Sequence, residues 1–495
     1  MSIKSKVKKY PKTSILISSI LVLYLLLLIP LEDDIQIPDV NNIPFSWNQD
    51  SVWESLEFKF ISANTLGCDK IKFTVDSLIK DSELLLKEIS ADTLDPSDEK
   101  FIILENKIFS IAPLVPVCTQ FFPDYINFYS NLRKIVKEQS GNWDMNSTEA
   151  KNTLYRLLYG NRIAIEEIML QLSDNQVTPL IKGIDELSST PSAEMLGVTV
   201  HSGDILVSRG GAPTSALIAR GNDYPGNFSH IALVHIDEKT KFTSIIESHI
   251  ERGVTVSSLD EYLNDKKLRI MVLRLRSDLI SDNPMLPHFA AEYSLEESKK
   301  KHIPYDFEMD INESEKQFCS EVASSTYKKF GMTLWTGLST ISSKGTRNWL
   351  AEFGVKYFET QEPSDLEYDP QVSVVAEWRN PETLYKDHLD NAVTDVMLEE
   401  ADSGKVLTYE WYILPIGRVM KFYSLILNAF GSEGPVPEGM SAEAALKNVY
   451  YSDTHDLIKL KLILIANQFK VQKGYTPPYW ELVSLARQAR DEISN

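Results

Sequence analysis

The chain has 495 residues, enough for two or three domains, and its apolar (43%) and charged (24%) fractions allow sizeable buried cores. A net charge of −20, with no Lys- or Arg-rich stripe beyond the first twelve residues, argues against a nucleic-acid partner, because phosphate binding needs a concentrated positive field.

The chain opens with MSIKSKVKKYPK, a basic tail over 1–12 that carries five lysines and no acid. TSILISSILVLYLLLLIP follows, an apolar run of about the length that crosses a bilayer, and LEDD comes directly after it. Lysines before and acids after the run predict a transmembrane anchor over 13–31, N-terminus inside, with the remaining chain outside the cytoplasm. A cleaved signal peptide shares the basic start, but IPLEDDIQIP offers no small-residue cleavage site. The expected setting is the bacterial inner membrane, single-pass, with the catalytic part periplasmic.

Residues 32–50 are rich in proline and polar side chains and read as a linker. Over 51–195 apolar residues recur at three- and four-residue spacing, and DPSDEK and NSTEA supply N-caps, which predicts a helical domain. Cys68 and Cys118 both lie in it: either they form a disulfide outside the cytoplasm, or they are two buried thiols. The texture changes at about residue 197, where GVTVHSGDILVSRGG, FSHIALVHIDEKTKFTSIIESHI, GVTVSSL and KLRIMVLRLR predict a mainly antiparallel sheet. This α+β domain is placed at 196–385, and a helical C-terminal region at 386–495.

Cys319 is the odd cysteine of an exported chain, which calls for a reason. In EKQFCSEVASSTYKKFG it stands at the start of a predicted helix, among unpaired backbone N–H groups that stabilise a thiolate or an oxyanion. On position alone, a small buried cysteine is the simpler reading. His230 opens the strand HIALVHI, and alternation puts His230, Ala232, Val234 and Ile236 on one face. In the next strand Ile245, Glu247 and His249 share a face. A hairpin turning about residues 239 and 240 places His230 opposite His249 and one diagonal step from Glu247; a register shifted by two puts Glu247 opposite instead. Either way a polar group can hold one imidazole nitrogen while the other serves Cys319, the logic of a cysteine–histidine–orienter site. A metal site built from His230, His249, Glu247 and Cys319 lacks tight ligand spacing, and no metal or other cofactor is expected.

The order histidine, acid, cysteine is permuted relative to papain-like enzymes. GDILVSRGG (203–211), DYPGNFSHIALV (223–234), IIESHIERGVTVSSLDEYL (245–263), IPYDFEMD with QFCSEV (303–310 and 317–322) and EPSDLEYDP (362–370) together resemble the YiiX-like family of circularly permuted papain-like, NlpC-type hydrolases. The likeness spans roughly 197–380. It implies an antiparallel sheet packed on the nucleophile helix, with Cys319 as nucleophile, His230 as base and Glu247 as orienting acid. His249 is an alternative orienter, and Tyr305 a candidate oxyanion or substrate contact. Phe318 stands where tyrosine is usual, and His249 where a small apolar residue is usual. The implied activity is a cysteine amidase or peptidase, with cell-wall peptides as expected substrate. A lipid acyl hydrolase or acyltransferase of the same fold and a non-catalytic envelope-binding scaffold are the alternatives.

Overall fold

The computed structural model describes residues 11–29, 37, 42–313, 315–430 and 432–494. The basic tail up to residue 10 and residues 32–36 and 38–41 of the linker lie outside the described residues. Helix α1 is Pro11–Leu26. Six helices follow: α2 Asp50–Leu66, α3 Cys68–Ala91, α4 Glu99–Ile111, α5 Phe122–Ser140, α6 Thr148–Leu154 and α7 Gly160–Gln171. The middle of the chain supplies β1 Leu180–Lys182, β2 Ser192–Met195, β3 Val198–His201, β4 Ile205–Gly210, α8 Pro213–Arg220, β5 His230–Ile236, β6 Thr243–His249, β7 Gly253–Ser258, α9 Leu259–Asn264, β8 Lys267–Leu275, α10 Leu286–Lys300, α11 Cys319–Lys329, β9 Ser339–Thr340, α12 Lys344–Glu352, β10 Glu359–Thr360 and β11 Val372–Arg379. The chain ends in α13 Pro381–Asp402, α14 Leu414–Ala429, α15 Ala442–Lys473 and α16 Tyr479–Ser494.

The N-terminal helices begin where the sequence places caps. The Asp98 carboxylate accepts from Lys100 N, and Ser147 Oγ accepts from Ala150 N. Their apolar stripes close one core around Tyr125, Phe128, Leu132 and Ile165. Cys68 and Cys118 form a disulfide, with their Cα atoms 4.9 Å apart. Residues expected in the linker join this core: the Phe45 ring packs edge-on against Trp47 and Tyr155.

The sheet is antiparallel, in the order β1-β11-β8-β4-β5-β6-β7. Alternation divides it cleanly. Val207, Ile231, Leu233 and Met271 face α10 and α11, with Ala290, Val322 and Tyr327. Leu206, Ala232, Val234 and Val272 face the β2–β3 hairpin and Tyr262 of α9. The domain limits need correction. β1, from the segment expected to be helical, extends the sheet by pairing Leu180 with Trp378, because its alternation buries Ile181 against the edge.

Among the described residues the structure does not support the expected transmembrane anchor over 13–31. α1 has 16 residues, about 24 Å at 1.5 Å per residue, and a turn carries the chain on to Ile29. Among the described residues no helix is long and apolar enough to cross a membrane.

The N-terminal helices, the sheet and α13 meet at buried charge. Glu166 on α7 accepts from Arg269 (2.6 Å), Arg379 (2.6 Å) and His388 (3.0 Å). Asp387 on α13 pairs with Arg209 (3.1 Å) and Arg269 (2.5 Å). Arg133 pairs with Glu377, and Arg162 with Glu367. Burial alone would raise the two glutamates, but the guanidiniums outweigh it: Glu166 lies well below the usual carboxylate range, and Glu377 at about 2. Their contribution to stability is therefore complete above about pH 4.5 and lost as pH falls toward 2. Glu166→Ala removes the shared acceptor of Arg269, Arg379 and His388 and is expected to cost about 3–5 kcal/mol. Thermal unfolding of both chains between pH 7 and pH 3 checks this: the wild-type transition should fall steeply below pH 4.5, and the variant should start low and fall less.

Candidate active site

The hairpin β5–β6 takes the register that its turn dictates. Ala232 pairs with Glu247 and Val234 with Ile245, so His230 at the start of β5 comes opposite His249 at the end of β6. The Glu247 carboxylate then sits between two rings. Its Oε2 is 2.9 Å from His230 Nε2, and its Oε1 is 3.3 Å from His249 Nε2. Ser257 Oγ donates to Oε1 at 2.9 Å. That serine was not singled out from sequence, although counting along β7 reveals it: Thr255 pairs with Glu247, so Ser257 lies two residues on along the same face. Glu247 side-chain exposure is 4%, against 18% for His230 and 30% for His249. With Nε2 engaged by Glu247, Nδ1 is the His230 atom left to serve a thiol.

β7 starts at Gly253, where φ is +70° and a Cβ would collide with the Ile303 carbonyl oxygen. The close approach lets Val254 N donate to Ile303 O at 2.8 Å. It brings Pro304 and Tyr305 alongside the hairpin, so Tyr305 enters the site as a consequence of a glycine fifty residues earlier in the chain.

Cys319 is the first residue of α11, as its position in the sequence predicts. Its helix packs on the sheet face that carries Ile231 and Leu233, whereas alternation assigns His230 to the face of Ala232 and Val234. The two come together at the end of the sheet where β5 begins. There the Cys319 thiol donates to Ser229 O at 4.0 Å. Cys319, His230, Glu247, His249 and Tyr305 all line one cleft of about 990 Å³. One wall comes from outside the middle domain: Glu433, Pro437 and Met440 of the loop before α15, and Asn448 on α15. A narrower recess of about 90 Å³ leads from Cys319 between Leu217, Phe307, Leu350, Phe353 and Met440.

Residues 199–376 match the family described as permuted papain-like amidase enzyme, YaeF/YiiX, C92 family. The middle domain is YiiX-like. The matched family is one of papain-like amidase enzymes, and the matched residues contain the whole His230, Glu247 and Cys319 set. No curated protein and no solved structure matches the chain.

Electrostatics in this YiiX-like site departs from the sequence expectation in one respect. A helix start should favour a thiolate, yet burial pushes the Cys319 thiol up to about 12, against the pull of the Ile231 and Ser320 backbone N–H groups. Two further acids surround it that sequence reasoning did not connect with the site. Glu362 lines the recess with an orphaned Oε2, and burial lifts it well above its ordinary value. Glu321 accepts from Phe318 N, and burial pushes it up to about 9. In both acids burial thus disfavours the charged form.

His230 is held below 6.5 by burial, although Glu247 pulls the other way, and Glu247 itself lies far below the carboxylate range because both imidazoles face it. His230, Glu247 and His249 also have ligand atoms within 4.8 Å of one another, so the trio can close on a divalent cation if Glu247 releases the rings. Ring-proton NMR titration should show His230 ionising below 6.5. In Glu247→Gln the supporting charge is gone, and the ionisation should move further to acid; movement to alkaline pH would contradict this geometry.

Proposed function

We propose that the chain is a membrane-anchored cysteine amidase or peptidase acting on amide bonds of cell-wall peptides in the bacterial periplasm. The observation that carries this reading is the joint presence of Cys319, His230 and Glu247 in one cleft of a domain whose family is an amidase family. In the resting site both partners are neutral, a thiol and an imidazole. As substrate displaces water, His230 takes the Cys319 proton on Nδ1, and Glu247 stabilises the imidazolium through Nε2. The thiolate adds to the acyl carbon, and the carbonyl electron pair moves to oxygen. That oxygen is stabilised by the Cys319 backbone N–H and by the Tyr305 hydroxyl. Burial and the Cys319 charge keep the Tyr305 pKa well above its ordinary value, so it stays a donor. Collapse breaks the C–N bond, and His230 gives its proton to the departing amine. Water then loses a proton to His230 and attacks the thioester, releasing the acid and restoring the thiol.

The cleft supports a peptidic substrate. Arg252, Lys266 and Lys267 share it with Glu251, Glu261 and Asp265, a mixed lining suited to peptides bearing both carboxylates and amines. The apolar recess at Cys319 favours the second reading, hydrolysis or transfer of a lipid acyl chain. The anchored, exported setting is supported by the uncharged, exposed stretch of α1 from Leu16 to Leu26 and by the Cys68–Cys118 disulfide. A short span is accommodated by local bilayer thinning.

A thiol-directed acyl probe should label the full chain and leave Cys319→Ala unlabelled; an unlabelled wild type favours the binding scaffold. Glu247→Ala should lower kcat/KM by roughly a hundred- to ten-thousand-fold, and His249→Ala by much less. The reverse order would make His249 the orienter. Amine release from purified cell-wall peptides, set against fatty-acid release from lipid vesicles, separates the two substrates.

A further inference from the structure

Helix α14 presents a surface unlike that of a helix in water. Its two charged residues are both turned to the protein: Arg418 pairs with Glu443, and Lys421 donates to the Pro437 and Glu438 carbonyls. Ser424 is buried and donates to Met420 O. Outward it shows Tyr412 from the preceding turn, Ile416, Val419, Tyr423, Ile426 and Phe430, recurring every three or four residues. Phe422, on the flank, is 65% exposed and Phe430 83%. A contiguous apolar stripe of this kind, without a charge in it, marks an interaction surface.

Its occupant is indicated by what stands beside it. The Tyr24 hydroxyl of α1 donates to Tyr412 O at 2.7 Å. Arg418 donates to the carbonyls of Leu27 (3.0 Å) and Ile29 (2.7 Å), where the α1 turn ends. α1 bears no charge from Leu16 to Leu26, and its leucines there are more than half exposed. The α14 stripe thus continues the apolar surface of α1 at the end where the chain leaves it.

We propose that α14 lies in the interface of the same bilayer that holds α1, its apolar stripe at the boundary of head groups and acyl chains. Trp411 and Tyr412 sit at its N-terminal end, where amphipathic rings favour the head-group level. The loop after α14 carries Glu433, Pro437 and Met440 into the catalytic cleft, so an interfacial α14 fixes the height of that cleft above the membrane. The proposal rests on the anchored reading of α1, and the experiment separates the two. The full chain is placed in nanodiscs of phosphatidylethanolamine and phosphatidylglycerol, with brominated or unmodified acyl chains. The emission of Trp411 is obtained as the difference between wild type and Trp411→Phe.

Loss of the Trp411 emission in brominated discs, with little quenching by aqueous acrylamide, is the expected result. Phe422→Glu combined with Ile426→Glu should restore that emission while circular dichroism and disc recovery stay unchanged. Trp411 quenched by acrylamide and not by bromine, in chains still bound to discs, overturns the α14 proposal alone. Disulfide-linked dimers of Val419→Cys in discs overturn it in favour of a second copy as occupant. A chain recovered free of discs overturns the anchor and α14 together.

Discussion

Five arginines and four carboxylates, all buried, are clustered where the N-terminal helices meet the sheet. Arg133, Arg162, Arg209, Arg269 and Arg379 face Glu166, Glu367, Glu377 and Asp387. Taking so many ions out of water costs several kcal/mol each, and only the alternation of sign and the forked geometry of the guanidinium group offset it. Such a cluster tolerates no rearrangement, because sliding one element past another would leave an unpaired buried charge. It therefore sets the mutual positions of α5, α7, β4, β8, β11 and α13. The site depends on this directly: Arg209 follows Ser208, and Ser208 is the residue that pairs with His230. The strand end that carries the imidazole is thus held from behind by charge and from the front by Glu247.

Local features of the site were legible in the chain because they obey short-range rules. A hairpin whose turn lies between residues 239 and 240 has one register that puts His230 opposite His249, and counting by twos from Glu247 reaches both imidazoles and Ser257. Helix start rules likewise put Cys319 at the first residue of α11. What lay beyond reach was set by distance along the chain. β1 is three residues long and belongs to the sheet only because β11, nearly two hundred residues later, has an open edge. The cleft wall at Glu433 to Asn448 follows from the packing of α14 and α15, and no motif in those residues signals a site. Glu166 of the N-terminal helices likewise finds its partners only where Arg269 and Arg379 arrive from the sheet.

The same division explains why the thiol was expected to be more acidic than it is. Position at a helix start is a local property, and by itself it lowers a cysteine pKa. Burial is a property of the whole fold, and here it wins: α10, α11, the sheet and the recess residues strip water from Cys319. The site therefore stores a neutral pair rather than an ion pair. A neutral resting pair protects the thiol from oxidants, since the reactive form is the thiolate. It also means that the step from thiol to thiolate needs a partner already oriented, because burial disfavours the thiolate. Glu247 meets that need at long range. Its carboxylate stays ionised through the working pH range, and through Nε2 it makes the His230 imidazolium less costly without touching the sulfur. In the proposed mechanism, ionisation of Cys319 is in this way coupled to substrate entry: an acyl group in the cleft, with its oxygen directed at the start of α11 and at Tyr305, gives the transferred charge a place to go.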